Sequence, residues 1–148
     1  MSWIFVDCEA YGGCPHLGAL TEFGAVDYKT QRTFHGQIVA SRPSAVDPAV
    51  PTPLEAQNPQ KVKEVFTAFD KWLYRMDDGH RLVFWSDNPA FDWQWINDGF
   101  LVHLGRNPFG WSARRIGDLY AGLARDVYAT SKWKRLRRTP HDHNPVHD

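Results

Sequence analysis

A short apolar run that ends in two acidic residues is the feature that most constrains the fold of this chain. Residues 3–6 are apolar and rich in β-forming side chains, and Asp7-Cys8-Glu9 follow directly. This pattern predicts a buried strand. Side chains alternate between the two faces of a strand, so Asp7 and Glu9 project from one face, about 6 to 7 Å apart at Cα. Two carboxylates beside a buried strand repel each other, and a cation would relieve that repulsion. A solvated strand end is the alternative interpretation of this pair.

The next segments predict an antiparallel meander and an amphipathic helix. Residues 20–27 and 32–40 are strand candidates, and the connection between them is short enough for a hairpin. In residues 61–75 the apolar side chains recur at spacings of three and four, which predicts a helix. Residues 81–85, with the sequence RLVFW, predict a fourth buried strand.

The second half of the chain predicts two more helices and one short strand. A helix is expected to begin after Asn88-Pro89, with Phe91, Trp95 and Ile96 on its inner side. Residues 114–117 could form a strand, and residues 130–141 read as a basic loop. Between them we expect a helix that is capped by Asp118 and packs inward through three side chains, Leu119, Leu123 and Val127.

The predicted element order is βββ-α-β-α-β-α, which implies an α/β fold with a mixed sheet and helices on both of its faces. At 148 residues, 43% of them hydrophobic, the chain can bury one core but not two. We therefore expect a single domain over residues 1–148. The two cysteines are too few for a disulfide framework, the N-terminus does not resemble a secretory signal, and no apolar run reaches about 20 residues. A cytoplasmic protein without a membrane partner is expected.

Positive charge is concentrated in one part of the chain. The formal net charge is zero, which argues against a protein that coats nucleic acid non-specifically. Residues 111–138 nevertheless contain eight Lys and Arg residues against two acids. A basic stretch beside an acidic remainder suits an enzyme that holds cations on carboxylates and attracts a polyanion toward them.

Two further patterns place acids where chemistry is often found. In Asn88-Pro89-Ala90-Phe91-Asp92 an acid lies in the first turn of a helix that follows a buried strand. Strand C-termini are where open α/β sheets tend to place their sites, but Asp92 could equally serve only the helix dipole. Asp87, five residues earlier, is an alternative candidate or a turn residue.

The C-terminal pattern pairs a histidine with an acid. The last six residues, His143-Asn144-Pro145-Val146-His147-Asp148, place an acid five positions after His143. Histidine can accept a proton near neutral pH, as activation of an attacking water requires. Taken alone, the segment could also be a histidine-rich tail.

Taken together, FVDCE, NPAFD and HNPVHD resemble the three exonuclease motifs of the DEDDh family, in order and in spacing. That family includes ribonuclease T, oligoribonuclease and polymerase proofreading subunits, and the predicted element order is similar to its ribonuclease H-like fold. The resemblance covers essentially the whole chain. The sequence departs from the family pattern at Pro145, where the family usually has alanine, and at the extra His147 next to the last acid. It also ends at Asp148, where the family continues with a helix.

The resemblance implies a function and the residues that perform it. It implies hydrolysis of single-stranded RNA or DNA from the 3′ end to nucleoside 5′-monophosphates. His143 would be the general base, and two divalent cations, Mg²⁺ or Mn²⁺, would be held by four acids, Asp7, Glu9, Asp92 and Asp148. Oxygen ligands of this kind are the ones that such hard cations prefer.

Substrate contacts are expected from the basic stretch and from residues near the motifs. Single strands are commonly held by basic grooves with stacking aromatics. The candidates are Tyr11, Asn88, Lys132, Trp133, Lys134, Arg135, Arg137 and Arg138. A solvated loop is the alternative interpretation of the basic segment.

Three other interpretations remain open at this stage. A zinc module could be built from cysteines and histidines, namely Cys8, Cys14, His16, His141, His143 and His147, although no C-x-x-C pair is present. A nucleic-acid-binding domain with the same fold and impaired catalysis is the second, and a scaffold protein is the third. The choice between ribose and deoxyribose, and between a monomer and a homodimer, is also open.

Overall fold

A computed structural model describes residues 1–39, 59–76, 79, 81–138 and 144–146. Its elements are β1 (Ser2–Tyr11), β2 (Ala19–Asp27), β3 (Thr33–Gln37), α1 (Val62–Met76), β4 (Leu82–Ser86), α2 (Pro89–Leu104), β5 (Ala113–Arg115), α3 (Ile116–Ala124) and a 3-10 helix, η1 (Lys132–Leu136). The predicted order is confirmed. The prediction of a loop over residues 130–141 is wrong where η1 forms.

The strands form one mixed sheet in the order β3-β2-β1-β4-β5. The pairs β1–β2 and β2–β3 are antiparallel, whereas β4 runs parallel to both β1 and β5. This arrangement confirms the mixed sheet expected from the sequence. It also places β1, the strand that carries Asp7 and Glu9, in the centre of the sheet.

Strand β1 is longer than its apolar run, because β2 pairs with it along its whole acidic half. The pairing continues from Ile4 opposite Asp27 to Tyr11 opposite Ala19, with one irregularity after Glu9. The hairpin that follows β2 is stabilised locally, since the Asp27 carboxylate accepts a hydrogen bond from the Thr30 backbone N–H at 2.8 Å.

The hydrophobic core lies between one face of the sheet and helices α1 and α2. Alternate residues of β1 face this core, and Ile4, Val6 and Cys8 are buried in it. Much of the remaining core is aromatic, with Phe23, Phe66, Phe69, Phe84, Phe100 and Phe109 almost fully buried. The opposite face of β1 therefore carries the odd-numbered residues, including both acids.

That opposite face begins with an aromatic cluster. The rings of Trp3 and Trp85 are 5.0 Å apart, Phe5 stacks on Trp85 at 6.0 Å, and Tyr28 lies 6.2 Å from Phe5. Arg114 of β5 places its guanidinium 5.5 Å from the Trp85 ring. The face is thus apolar at the start of β1 and acidic toward its end.

Helix α3 differs from its prediction in two ways. Its N-cap is Arg115 rather than Asp118, which lies in the first turn. The residues predicted to face inward, Leu119, Leu123 and Val127, are 39%, 77% and 77% exposed. The helix buries Gly117 and Ala121 instead.

A helix that spans a membrane must be both long and apolar. In the part of the chain that the structure covers, none of the helices has both the length and the apolar character that a membrane span requires.

Candidate active site

The first two acids lie on the same face of the central strand. Asp7 and Glu9 are both half-buried, whereas Cys8 between them is buried in the core. On the neighbouring strand β2, Asp7 lies opposite Gly24 and Glu9 lies opposite Glu22. The alternation predicted from the sequence is therefore confirmed, and the acids project from the face that the core helices leave uncovered.

The third acid is held against the same stretch of β1 by hydrogen bonds. Asp92 lies in the first turn of α2, just after strand β4, and only 2% of it is exposed. Its Oδ1 accepts a hydrogen bond from the Cys8 backbone N–H at 3.1 Å, and its Oδ2 accepts one from the Ser86 hydroxyl. Because Cys8 separates Asp7 from Glu9, this contact ties Asp92 to the segment that carries the first two acids.

The environment of Asp92 disfavours a bare negative charge. Burial raises its pKa from 3.8 to about 6, although the hydrogen bonds from Ser86 and Cys8 act in the opposite direction. None of the described lysines and arginines forms an ion pair with this carboxylate. A cation close to Asp92 would relieve this cost.

The raised pKa predicts a pH dependence of stability in metal-free protein. The folded state holds the Asp92 proton more tightly than the unfolded state. Its contribution to stability is therefore fully present below pH 3.8 and is lost as the pH rises through about 6. A shift of about two pH units corresponds to roughly 3 kcal/mol.

The Asp92→Asn variant isolates this contribution, since asparagine does not titrate. Urea unfolding of both proteins in EDTA from pH 4 to pH 8 should give a difference in unfolding free energy that changes across this range. Identical pH profiles for the two proteins would contradict the assignment.

The third motif approaches the first one through its central residues. His143 and Asp148 lie outside the described residues, but Asn144 to Val146 are described. A Cβ placed on Gly24 would collide with the Pro145 carbonyl and would come within 2.7 Å of the Val146 nitrogen. Since Gly24 pairs with Asp7, the C-terminal motif crosses the sheet directly beside the first acid.

The three acids of the first two motifs supply part of what a metal ion would need. Within the described residues, no group of three or more His, Cys, Asp and Glu side chains could hold a metal ion. The carboxylates that are described, Asp7, Glu9 and Asp92, nevertheless offer the oxygen ligands that Mg²⁺ and Mn²⁺ prefer. The buried Asp92, which has no cationic partner among the described residues, also fits a cation nearby.

A cavity of about 660 Å³ opens on the acidic and aromatic face. Among the described residues, Asp7 lines it together with Phe5, Val6, Val26, Tyr28, Gln31, Asp87, Ile116, Trp133, Lys134, Arg137, Pro145 and Val146. The cavity therefore joins the first motif, the C-terminal motif and the basic segment.

The predicted basic cluster divides into an inner and an outer group. Trp133, Lys134 and Arg137 line the cavity, and the Lys134 ammonium lies 2.8 Å from the Asp87 carboxylate. Asp87, considered earlier as a substitute for Asp92, thus anchors η1 to the loop between β4 and α2.

The outer group of the basic cluster lies away from this cavity. Lys132 pairs with Asp126 at 2.8 Å, and Arg135 donates to the Tyr120 hydroxyl at 3.0 Å. Arg138 is exposed. None of the three is among the described lining residues of the cavity.

The two remaining predicted contacts lie near the acids. Tyr11 is half-buried at the end of β1, and Asn88 is an exposed residue at the N-cap of α2. The Asn88 backbone carbonyl accepts a hydrogen bond from the Asp92 N–H at 3.0 Å, and its side chain does not cap the helix.

Comparison with known proteins identifies a relative that aligns with almost the whole chain. No family model matches the chain. The protein named 3′-5′ DNA exonuclease Cap18, from Escherichia coli, is 25% identical over 162 residues, and the alignment covers 99% of this chain and 84% of that protein.

Comparison with solved structures supports the fold. The zinc-bound form of the E. coli ExoI–ssDNA complex matches with a TM-score of 0.55 and 17% identity over 83% of this chain. The chain spans 29% of the length of that protein. The likeness confirms the expected ribonuclease H-like mixed sheet.

Two residues that the sequence did not single out also belong to this face. Glu22 is 4% exposed, lies opposite Glu9, and has its Oε2 2.8 Å from the Nε2 of His35. His35 in turn pairs with Gly24, the residue beside Pro145. Both residues lie on the polar side of predicted strands, so the sequence could have indicated that they share this face. Their pairing depends on the strand register, which the sequence does not give.

Cys8 bears on the zinc interpretation. Its thiol is buried, points into the core, and lies 3.7 Å from the Asp92 backbone carbonyl. Burial raises the pKa of Cys8 well above its ordinary value, and the neighbouring acids raise it further. A buried, protonated thiol on the opposite side of the strand from Asp7 and Glu9 is a poor zinc ligand.

Proposed function

We propose that this chain is a metal-dependent 3′-5′ exonuclease that acts on single-stranded DNA and releases nucleoside 5′-monophosphates. The observation that carries the proposal is the position of Pro145 against Gly24, opposite Asp7. Two motifs separated by more than a hundred residues in the sequence meet there, as a single catalytic site would require. The relatives in sequence and structure support the same class of enzyme.

Four acids would hold two divalent cations, namely Asp7, Glu9, Asp92 and Asp148. When bound, such cations stabilise the charge that develops on the attacking and leaving oxygens of an in-line phosphoryl displacement. Asp92 suits this role because it is buried and has no cationic partner among the described residues. The bonds from Ser86 and Cys8 fix the orientation of its carboxylate.

The general base in this proposal is His143. It stands two residues before Pro145 in the sequence, and Pro145 lies against Gly24, opposite Asp7. One of its imidazole nitrogens would accept the proton of the attacking water.

The strand would approach along the basic segment. The outer cations, Lys132, Arg135 and Arg138, are exposed and would contact successive phosphates. Tyr11, just beyond Glu9, would stack on the terminal base, and Asn88 would face the same nucleotide. Matched DNA and RNA single strands in one assay would separate deoxyribose from ribose preference.

The His143→Ala variant tests the proposed base. We expect the cleavage rate to fall by roughly a hundredfold to ten-thousandfold, the usual contribution of general acid–base catalysis, while single-stranded DNA still binds. The matched control is His147→Ala, which removes a nearby histidine that the motif does not require. Equal rates for the two variants would contradict the role of His143.

A nucleic-acid-binding domain without catalysis is the alternative. The exposed cations of the basic segment, Lys132, Arg135 and Arg138, would serve such a domain equally well. Binding of the oligonucleotide without shortening, in the presence of Mn²⁺, would support it over the exonuclease.

A further inference from the structure

The cavity beside Asp7 reaches toward the start of β1, and its described lining includes neither Glu9 nor Asp92. Its described lining includes Phe5, Val26 and Tyr28, which lie on the aromatic part of the sheet face, and it does not include Glu9 or Tyr11. The position proposed for the terminal nucleotide, between Glu9 and Tyr11, is therefore at the other side of Asp7. The cavity is larger than a site for one cation needs, and its volume of about 660 Å³ is typical of small-molecule sites.

Aromatic rings supply flat surfaces on two sides of this cavity. Phe5 and Tyr28 come from the sheet, and Trp133 comes from η1. Nucleobases stack on such rings without regard to sequence. The cavity thus offers the kind of surface that binds a planar base.

The η1 side of the cavity also supplies cations. The Arg137 guanidinium lies 5.2 Å from the Trp133 ring centre, and the Lys134 ammonium lies in the same lining. Asp87 neutralises part of this charge, since it lies 2.8 Å from Lys134 and 3.9 Å from Arg137. A guanidinium beside an aromatic ring suits a ligand that joins a phosphate to a base.

Within the described part of the chain, two residues of the cavity lining each carry a buried donor without an acceptor. The indole Nε1 of Trp133 and the Nε of Arg137 have no hydrogen-bond partner among the described residues, although both atoms are buried. Buried donors are nearly always satisfied in folded proteins, so each calls for an acceptor.

We infer that this cavity binds a nucleoside 5′-monophosphate, with its base against the aromatic rings and its phosphate at Arg137 and Lys134. The choice of a nucleotide over other planar anions rests on the proposed function, which releases this class of product. The site is a second nucleotide position, separate from that of the terminal residue undergoing cleavage.

The test is a calorimetric titration, in which 2′-deoxyadenosine 5′-monophosphate is added to the full chain in the presence of EDTA. Saturable binding of one equivalent is expected.

Trp133→Ala should weaken it roughly tenfold, by loss of one stacking surface, whereas Trp133→Phe should retain most of it. Arg137→Gln should weaken the monophosphate roughly tenfold and leave deoxyadenosine unchanged. Tyr128→Ala, at an aromatic residue that is 88% exposed and not part of the cavity lining, is the control.

The outcomes separate this inference from the proposed exonuclease activity. Absence of saturable binding, equal binding of inorganic phosphate and the monophosphate, or unchanged binding in Arg137→Gln would overturn the nucleotide site. If Trp133→Ala does not fold, the Arg137→Gln comparison decides the matter alone. Since the titration contains no divalent cation, its result does not depend on cleavage, and a failed cleavage assay would leave it intact.

Discussion

The Asp7→Asn variant is expected to cleave single-stranded DNA at least about a thousandfold more slowly than the parent protein. The asparagine side chain would keep the size of the aspartate but lose the negative charge that a cation on this face needs. Losses of this size are typical when a group that acts in the transition state is removed. The measurement is a single-turnover rate with saturating Mn²⁺.

The control for this prediction is Asp118→Asn. Asp118 is an exposed acid in the first turn of α3, 3.6 Å from Arg115, and its removal also changes the net charge by one. It should cleave like the parent protein, because exposed pairs contribute little to stability and Asp118 is not among the described lining residues of the cavity. Cleavage by Asp7→Asn at the rate of Asp118→Asn would remove Asp7 from the site.

The Gly24→Ala variant is expected to lose activity by roughly a hundredfold while keeping its fold. The added methyl group would occupy the position of the Pro145 carbonyl, so the C-terminal motif must move away from Asp7. A displacement of about 1 Å in a catalytic group can cost a factor of this size. The measurement is kcat/KM on an oligonucleotide, together with urea unfolding.

Two glycine variants separate this effect from simple destabilisation. Gly99→Ala places a methyl group against the Phe66 ring in the core, so it should lower stability but leave the activity of folded protein unchanged. Gly122→Ala meets no atom within 4 Å and replaces a glycine inside α3, so it should leave activity unchanged and raise stability slightly. If Gly24→Ala lost no more activity per folded molecule than Gly99→Ala, the C-terminal motif would not act beside Asp7.

The elements of the fold could be predicted because their periodicities are strong. Alternation along β1 places Asp7 and Glu9 on one face, and the three-four spacing of α1 identifies its buried side. Helix α3 shows where such reasoning fails. Its apolar residues follow a helical spacing, but Leu123 is 77% exposed because the helix instead packs through Gly117 against the Thr130 carbonyl. A periodic pattern identifies a face without showing which neighbour covers it.

The candidate site was less accessible to sequence reasoning, since it depends on contacts between distant residues. The spacing of Asp92 from Asn88 indicates a helix start, but not the hydrogen bond from the Cys8 N–H that ties it to β1. The basic segment was identified as a whole. In the folded chain Lys134 pairs with Asp87 and Lys132 pairs with Asp126. These two pairs divide the segment into an inner and an outer group.

The central claim, metal-dependent 3′-5′ cleavage, is tested most directly with one single-stranded DNA oligonucleotide labelled at either end. With Mn²⁺, the 3′-labelled strand should release its label as a mononucleotide at once, and the 5′-labelled strand should shorten as a ladder. EDTA should abolish both, and His143→Ala should slow both. Binding without shortening, or first release of the label from the 5′ end, would contradict the account.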